Sequence, residues 1–341
     1  MGSRTIAAVT CLVLLAGVSI ARSQQPTNFF RNKQITLYIG YAVGGGYDIY
    51  CRLLAAHLGK HLPGNPTIVT RNEPGAGSIK LANELFNTLP KDGTALGMIG
   101  EALIISQVLG DPAAKFRARD FTWIGRISNS DPVLVTRPDS GVATIQDAMA
   151  KEVSIGIPGA GSATGMVLTV VNKLLRTKFK LILGYQGSGQ IRLAVERGEV
   201  DGAASVLWRF DKSWIRQNKL NVLYTTSLEP NPDLVGVPAL PELGRNEDER
   251  RLLTFFSSYT TIGRSIIAPP GMPQDRVDIL RAAFDATMED PAFINDTKRV
   301  NIDLATLPGK QLAELVGKAA DLDATLLARA RELYDAAAET K

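Results

Sequence analysis

Histidine and cysteine are scarce: the chain has two of each in 341 residues. Cys11 lies in an apolar leader, so the remainder keeps only Cys51 and can form no internal disulfide. Cys51 is read as a buried, inert thiol. His57 and His61 stand four apart on one helix face, but Leu58 follows His57, so the H-E-x-x-H zinc motif is missing. No third ligand is apparent, and both histidines are read as surface or packing residues. The cations are scattered and form no stripe interleaved with aromatics, which argues against a nucleic-acid partner. Short-period repeats and low-complexity tracts are also absent. No lysine follows the glycines at Gly44 to Gly46, so that turn is not a nucleotide P-loop.

What is present is ordinary for a globular protein: 45% hydrophobic and 21% charged residues, enough for two domains of about 150 residues. A core of that size needs no disulfide or metal. The first residues read as a secretory signal, with Arg4 as a basic start and Ile6 to Ile20 as an apolar stretch. Ala21 and Ser23 stand at −3 and −1 of a cleavage site after Ser23. Removing residues 1–23 takes away Arg4 and Arg22 and no acid, lowering the formal charge of +4 by two. The expectation is a soluble exported protein, periplasmic in location.

The chain is organised around Tyr41-Ala42-Val43-Gly44-Gly45-Gly46-Tyr47-Asp48. It follows an apolar run, Ile35 to Ile39, that reads as a buried strand. It precedes Ile49 to Leu62, whose leucines recur at helical spacing. Three glycines on a strand-to-helix turn, at the carboxyl edge of a sheet, form a place where a ligand can approach main-chain N–H groups. The helix start favours an anion there. A second glycine turn, Arg71 to Ser78, follows the strand Thr67–Thr70, and Thr94 to Gly100 reads as a third buried strand. Such βα units imply a parallel, doubly wound sheet with its loops on one edge.

Asp120 to Ile127 and Pro132 to Thr136 read as further strands of the first lobe, and Arg137 to Gly141 as the first crossing between lobes. The alternation restarts at Val153 to Ile157, with a glycine turn at Pro158 to Gly165 and a helix from Met166 to Leu175. Gln186-Gly187-Ser188-Gly189 is another glycine turn into a helix. Four prolines between Glu229 and Gly244 mark an irregular crossing segment. Thr260 to Ala268 reads as a strand returning to the first lobe, and Pro308 to Ala338 as a helical tail striped by Leu312, Leu315, Leu322, Leu326 and Leu333. Residues 27–136 and 257–341 are thus assigned to lobe 1 and 137–256 to lobe 2. Trp208 and Trp214 are read as cover for the second lobe.

These segments, in order, resemble the Bug-type periplasmic receptors of tripartite tricarboxylate transporters. The resemblance is carried by Tyr41 to Asp48, Asn72 to Ser78, Pro90 to Leu96, Gly156 to Ser162, Gly184 to Gly187, Gly198 to Asp201, Val237 to Glu242 and Ala268 to Pro273. It implies a type II Venus-flytrap α/β fold closing on a small di- or tricarboxylate, or an aromatic carboxylate. It implies delivery to membrane transporter subunits, no cofactor, no catalysis and a monomer. Carried over residue by residue, Ala42, Gly44, Gly45, Gly46 and Asp48 face Gly161, Ser162, Ala163 and Thr164 across the cleft. Ala76, Gly77, Tyr185 and Ser205 line the rest. Three positions depart from the family pattern: Tyr41 for an apolar Phe, Tyr47 for a small Thr or Ser, and Glu101 for a small polar residue. The two tyrosines either stack on an aromatic ligand or pack across the loop. Glu101 either excludes a second anion or recruits a cation.

The competing reading is an exported NADP-dependent oxidoreductase using the Gly159-x-Gly161-x-x-x-Gly165 loop. Some 20 residues on, Thr177 to Lys180 offers no acid for a ribose, and two lysines that suit a phosphate.

Overall fold

The computed structural model describes residues 29–338, apart from 161, 208–214, 216, 218, 303 and 320–322. The expected signal segment, Gly161, Trp208, Trp214 and Leu322 lie outside the described residues. The first lobe begins β1 (Gln34–Ile39), α1 (Gly46–Leu58), β2 (Thr67–Asn72), α2 (Ile79–Asn87), β3 (Ala95–Met98), α3 (Leu103–Leu109) and β4 (Thr122–Ser128). Ile35, Leu37 and Ile39 are fully buried and alternate with half-exposed neighbours, the period-2 pattern of a strand. β1 is central, parallel to β2 on one side and to β3 on the other.

The second lobe holds β5 (Pro132–Thr136), α4 (Ile145–Ala150), β6 (Val153–Gly156), α5 (Ala163–Leu175), β7 (Phe179–Ile182), α6 (Ser188–Glu196), β8 (Gly202–Leu207), β9 (Asn221–Thr225) and α7 (Glu247–Ser257). Its sheet order is β7-β6-β8-β5-β9. β6 runs parallel to β7 and β8, and β5 antiparallel to β8 and β9. The chain returns through β10 (Arg264–Ala268), followed by α8 (Gln274–Glu289), α9 (Pro291–Arg299), β11 (Leu307–Pro308), α10 (Gly309–Ala319) and α11 (Ala324–Ala338). The first sheet reads β11-β4-β10-β3-β1-β2, with β10 antiparallel to β3 and β4.

Both sheets are covered on two faces. In the first lobe Ile266 and Ala268 pack with α1, α8 and α9, while Ile267 and Trp123 pack with α2, α3 and α10. In the second, Leu134 faces α5 and α7, whereas Val133 and Val135 face Ile191 and Val195 of α6. The result is a two-lobed α/β architecture.

Three expectations need correction. Pro132–Thr136 pairs with β8 and β9, so it belongs to the second sheet, and the chain crosses at Asn129–Asp131. Arg137 to Gly141 is a local turn whose carbonyl neighbour, Val142, accepts from Thr136 Oγ1. The true crossing is the short link Asn129-Ser130-Asp131 before Pro132, a run of turn-forming residues that a reading centred on Arg137 to Gly141 passes over. The proline-rich segment after Glu229 stays on the second lobe, where Ala239 bridges Thr225 and Leu240 enters the core. The tail is two helices: Asp323 Oδ1 accepts from the Leu326 N–H at 2.8 Å and starts α11 anew. Leu312 and Val316 of α10 pack on the first lobe, while Leu326, Leu327 and Leu333 of α11 pack on the second. A helical stripe reads the same for one helix as for two in series.

Candidate ligand-binding site

The first glycine loop is held from behind. Gly44, at φ +85°, donates its N–H to Asp48 Oδ2 at 3.0 Å. Asn72 Nδ2 donates to Asp48 Oδ1 at 3.0 Å and to the Tyr41 carbonyl at 2.8 Å. Arg52 Nε donates to Asp48 Oδ1 at 2.9 Å. Burial pushes the Asp48 carboxyl up, but Arg52, the Gly44 N–H and Asn72 together hold it below its ordinary value. Asp48 is therefore committed to bracing the loop and does not line the cavity.

The second lobe meets this loop with two helix starts. Ser162 caps α5: its Oγ accepts from the Gly165 N–H at 3.2 Å and donates to the Gly159 carbonyl at 2.6 Å. α6 begins at Ser188, after the extended Gly187. The lobes are shut against each other: the Ala42 N–H donates to the Gln186 carbonyl at 3.1 Å. A side chain on Gly77 would stand 3.1 Å from the Ser162 nitrogen, and one on Gly45 3.2 Å from Ser188 Oγ. Between them lies a cavity of about 180 Å³. The N-termini of α1, α5 and α6 converge on it through Gly45–Gly46, Ser162–Thr164 and Ser188–Gly189. Three helix starts around one space favour an anion.

On the first-lobe side the cavity is aromatic and ionic. Glu101 and Arg264 are buried, at 6% and 4% exposure, with Arg264 Nη1 donating to Glu101 Oε2 at 2.5 Å. Ser130 Oγ donates to Glu101 Oε1 at 2.7 Å. The Arg264 guanidinium lies 4.2 Å from the Tyr47 ring centroid, and the Tyr41 and Tyr47 rings are 4.4 Å apart. Arg264 Nε has no hydrogen-bond partner among the described residues, and the Tyr47 π face meets the charge instead. Burial raises the Glu101 carboxyl, opposed by Arg264 and Ser130. Burial works against the Arg264 charge, yet Glu101 and the surrounding tyrosines hold it above its ordinary value.

Of the residues expected at the site, Tyr41, Gly44, Gly45, Gly46, Tyr47, Glu101, Ser162, Ala163 and Thr164 line the cavity. Ala42, Ala76, Gly77 and Tyr185 do not. Ala42 and Gly77 lie on the seam between lobes, and the Gly77 carbonyl accepts from the Tyr41 hydroxyl at 3.2 Å. The Tyr185 ring packs against Gly156. Ser205 lies on β8, two residues along from the lining residue Ala203. Sequence reasoning missed Arg264, Tyr259, Arg192, Pro132, Ser188 and Gly189. Arg264 did leave a signal, as a cation opening a strand whose residues are all buried. Such a charge needs a partner.

The remaining candidates are inert. Burial raises the Cys51 thiol well above its ordinary value, so thiolate chemistry is suppressed. His57 pairs with Asp296 at 2.9 Å and His61 with Asp290 at 3.0 Å. Among the described residues no group of three metal-binding side chains occurs.

A family model described as "Tripartite tricarboxylate transporter family receptor" matches residues 50–329. The chain belongs to this family. A curated relative from Cupriavidus necator, the UPF0065 protein in gbd 5'region, is 27% identical over 325 residues, covering 92% of this chain and 91% of its own. The periplasmic binding protein BugD superposes with a TM-score of 0.70 at 20% identity, covering 89% of this chain and 97% of that one. MatC from Rhodopseudomonas palustris, solved with bound malate, superposes at 0.68 and 19% identity, covering 88% and 98%. Tripartite tricarboxylate receptors are substrate-binding proteins and not enzymes, so the oxidoreductase reading of the Gly159–Gly165 loop is overturned. That loop instead builds the α5 cap, and Gly165 packs so tightly that a side chain would meet the Gly159 carbonyl at 2.4 Å.

Proposed function

We propose that this receptor captures a small carboxylate between its lobes and delivers it to the membrane subunits of a tripartite tricarboxylate transporter. The ligand class proposed is a di- or tricarboxylate or an aromatic carboxylate. The observation that carries the proposal is the convergence of three helix N-termini, from both lobes, on one closed cavity. A carboxylate gains roughly 0.3–2 kcal/mol from a helix dipole and about 1.5–3 from each charge-assisted hydrogen bond. A few such contacts supply the roughly 8 kcal/mol that micromolar binding needs. The ligand touches both lobes only when they are shut, so it shifts the open–closed equilibrium by its differential affinity. The malate in MatC supports a carboxylate. The apolar leader Ile6 to Ile20 and the Ala21-Arg22-Ser23 site support export to the periplasm with the first 23 residues removed. The site is complete within one chain, which supports a monomer.

The test is a thermal-shift screen of the purified protein against dicarboxylates, tricarboxylates, aromatic carboxylates and nicotinamide dinucleotides. Binding to the native state alone raises the melting temperature. A rise with a carboxylate is expected; a rise with dinucleotides alone contradicts the proposal.

A further inference from the structure

Among the described residues the charges lining the cavity are three: Glu101, Arg264 and Arg192. Arg192 is on α6 at the second-lobe side, 54% exposed, with Glu196 at 3.6 Å. Asp48 is behind the glycine loop and paired with Arg52. The first-lobe floor therefore carries a buried cation and a buried anion in direct contact, with no net charge. Both Glu101 oxygens already accept a hydrogen bond, one from Ser130 and one from Arg264. The guanidinium gives Nη1 to Glu101 and its face to Tyr47, while its Nε has no partner among the described residues. A ligand carboxylate at this depth would face Glu101 in a low-dielectric pocket, where like charges cannot both stay ionised cheaply.

The floor also offers a ligand few hydrogen bonds from its tyrosines. The Tyr41 hydroxyl donates to the Gly77 carbonyl, and the Tyr47 hydroxyl accepts from the Glu101 N–H at 3.3 Å. Tyr41 has thus committed its O–H proton and Tyr47 has not, and both rings lie in a lining that includes Ile49, Pro132 and Tyr259. Positive potential remains at the helix starts along the seam, with Arg192 beside them on α6.

We propose that the receptor selects organic acids with one carboxylate and a flat, apolar body, and that Glu101 is the residue that turns away a second carboxylate. The carboxylate sits at the helix N-termini and the body lies against the tyrosine-walled floor. This deepens the carboxylate-receptor reading and rests on it. Glu101 acts directly by its charge, and indirectly by offsetting the charge of Arg264.

The test compares 4-methylbenzoate with terephthalate, which differ by a methyl for a carboxylate at the far end of one ring. Calorimetric titration of the wild-type protein is expected to give 4-methylbenzoate the lower dissociation constant by about tenfold or more, the equivalent of about 1.4 kcal/mol. In Glu101→Gln the floor gains net positive charge, and the preference is expected to shrink at least about fivefold or to reverse. In case that variant folds poorly, Glu101→Gln combined with Arg264→Met removes the Glu101 charge without leaving a net cation, and the monoacid preference is expected to fall, though by less than in Glu101→Gln. Wild-type protein that binds terephthalate as tightly as 4-methylbenzoate overturns the proposal, as does an unchanged ratio in Glu101→Gln. Binding of malate with no response to 4-methylbenzoate overturns it while leaving the receptor reading intact. Silence toward every carboxylate overturns both.

Discussion

The two walls of the cleft are built from different materials. The second lobe offers mainly small side chains, Ser162, Ala163, Thr164, Ser188, Gly189 and Ala203, over two helix starts, with Arg192 as its one charged lining residue among those described. The first lobe offers Tyr41, Tyr47, Glu101 and Arg264, large or charged groups around a single helix start. Small side chains let a ligand reach backbone N–H groups, whereas rings and buried charges shape what surrounds it. The comparison teaches a division of labour: the seam of helix ends decides whether an anion binds, and the first-lobe wall decides which one.

The sharpest way to break that division is Gly45→Asp. Gly45 is the N-cap of α1 with extended backbone, φ −91°, so aspartate fits the backbone and is a good cap, with Ser188 Oγ, 3.2 Å from its Cβ, having to give by a few tenths of an ångström. Its carboxylate would occupy the anion's place beside Ser188. Affinity is expected to fall by about 100-fold or more, the worth of one or two charge-assisted hydrogen bonds, with an unaltered melting temperature. Ligand titration with a parallel melt checks both halves, and normal affinity would displace the anion from the seam.

Arg264→Met probes the other wall. It strands Glu101 in the interior, and breaking a buried pair costs about 3–5 kcal/mol. Urea unfolding should show that loss, and adding Glu101→Leu should recover most of it. An equal loss in single and double variants would mean that packing, not charge, dominates there.

Smaller effects are expected where a side chain only holds a loop. Asp48→Asn should weaken ligand binding by about tenfold, because the Gly44 N–H loses a charged acceptor. The Asp48 carboxyl is held below its ordinary value, so its contribution to stability is present above the unfolded carboxylate range, about pH 4. It is lost as the pH falls through the folded value. Urea midpoints of wild type and Asp48→Asn should therefore differ at about pH 6, and the difference should shrink as the pH is lowered toward about 3.

Ser162→Ala should do least to the ligand. The Ser162 hydroxyl is engaged by Gly159, Thr164 and Gly165, so the variant should lose about 1 kcal/mol of stability and less than about threefold in affinity. A larger affinity loss would give this hydroxyl to the ligand.

Local features were legible in the sequence. The glycine loop at Gly44–Gly46, the Ser162 turn and the strands β1 and β6 are set by neighbours a few residues away. The resemblance, itself a string of such local motifs, supplied the two-lobed fold. What stayed hidden depends on contacts between distant segments. Glu101 and Arg264 are 163 residues apart, and only the β3–β10 pairing brings them together. The role of Asp48 needed Asn72, delivered by β2. The Gln186 to Gly189 turn was readable as a helix start, but its place at the cleft depended on the closing of two lobes. The division of the tail between lobes was invisible because α10 and α11 share one helical period.

The most direct test of the account is calorimetric titration of the purified protein with an acid that raises its melting temperature, against that acid's primary amide. The two have nearly the same shape and differ in charge. If helix N-termini hold an anion, the acid binds in the micromolar range and the amide at least about 100-fold more weakly. Equal binding of acid and amide would contradict the anion site on which the proposed receptor function rests.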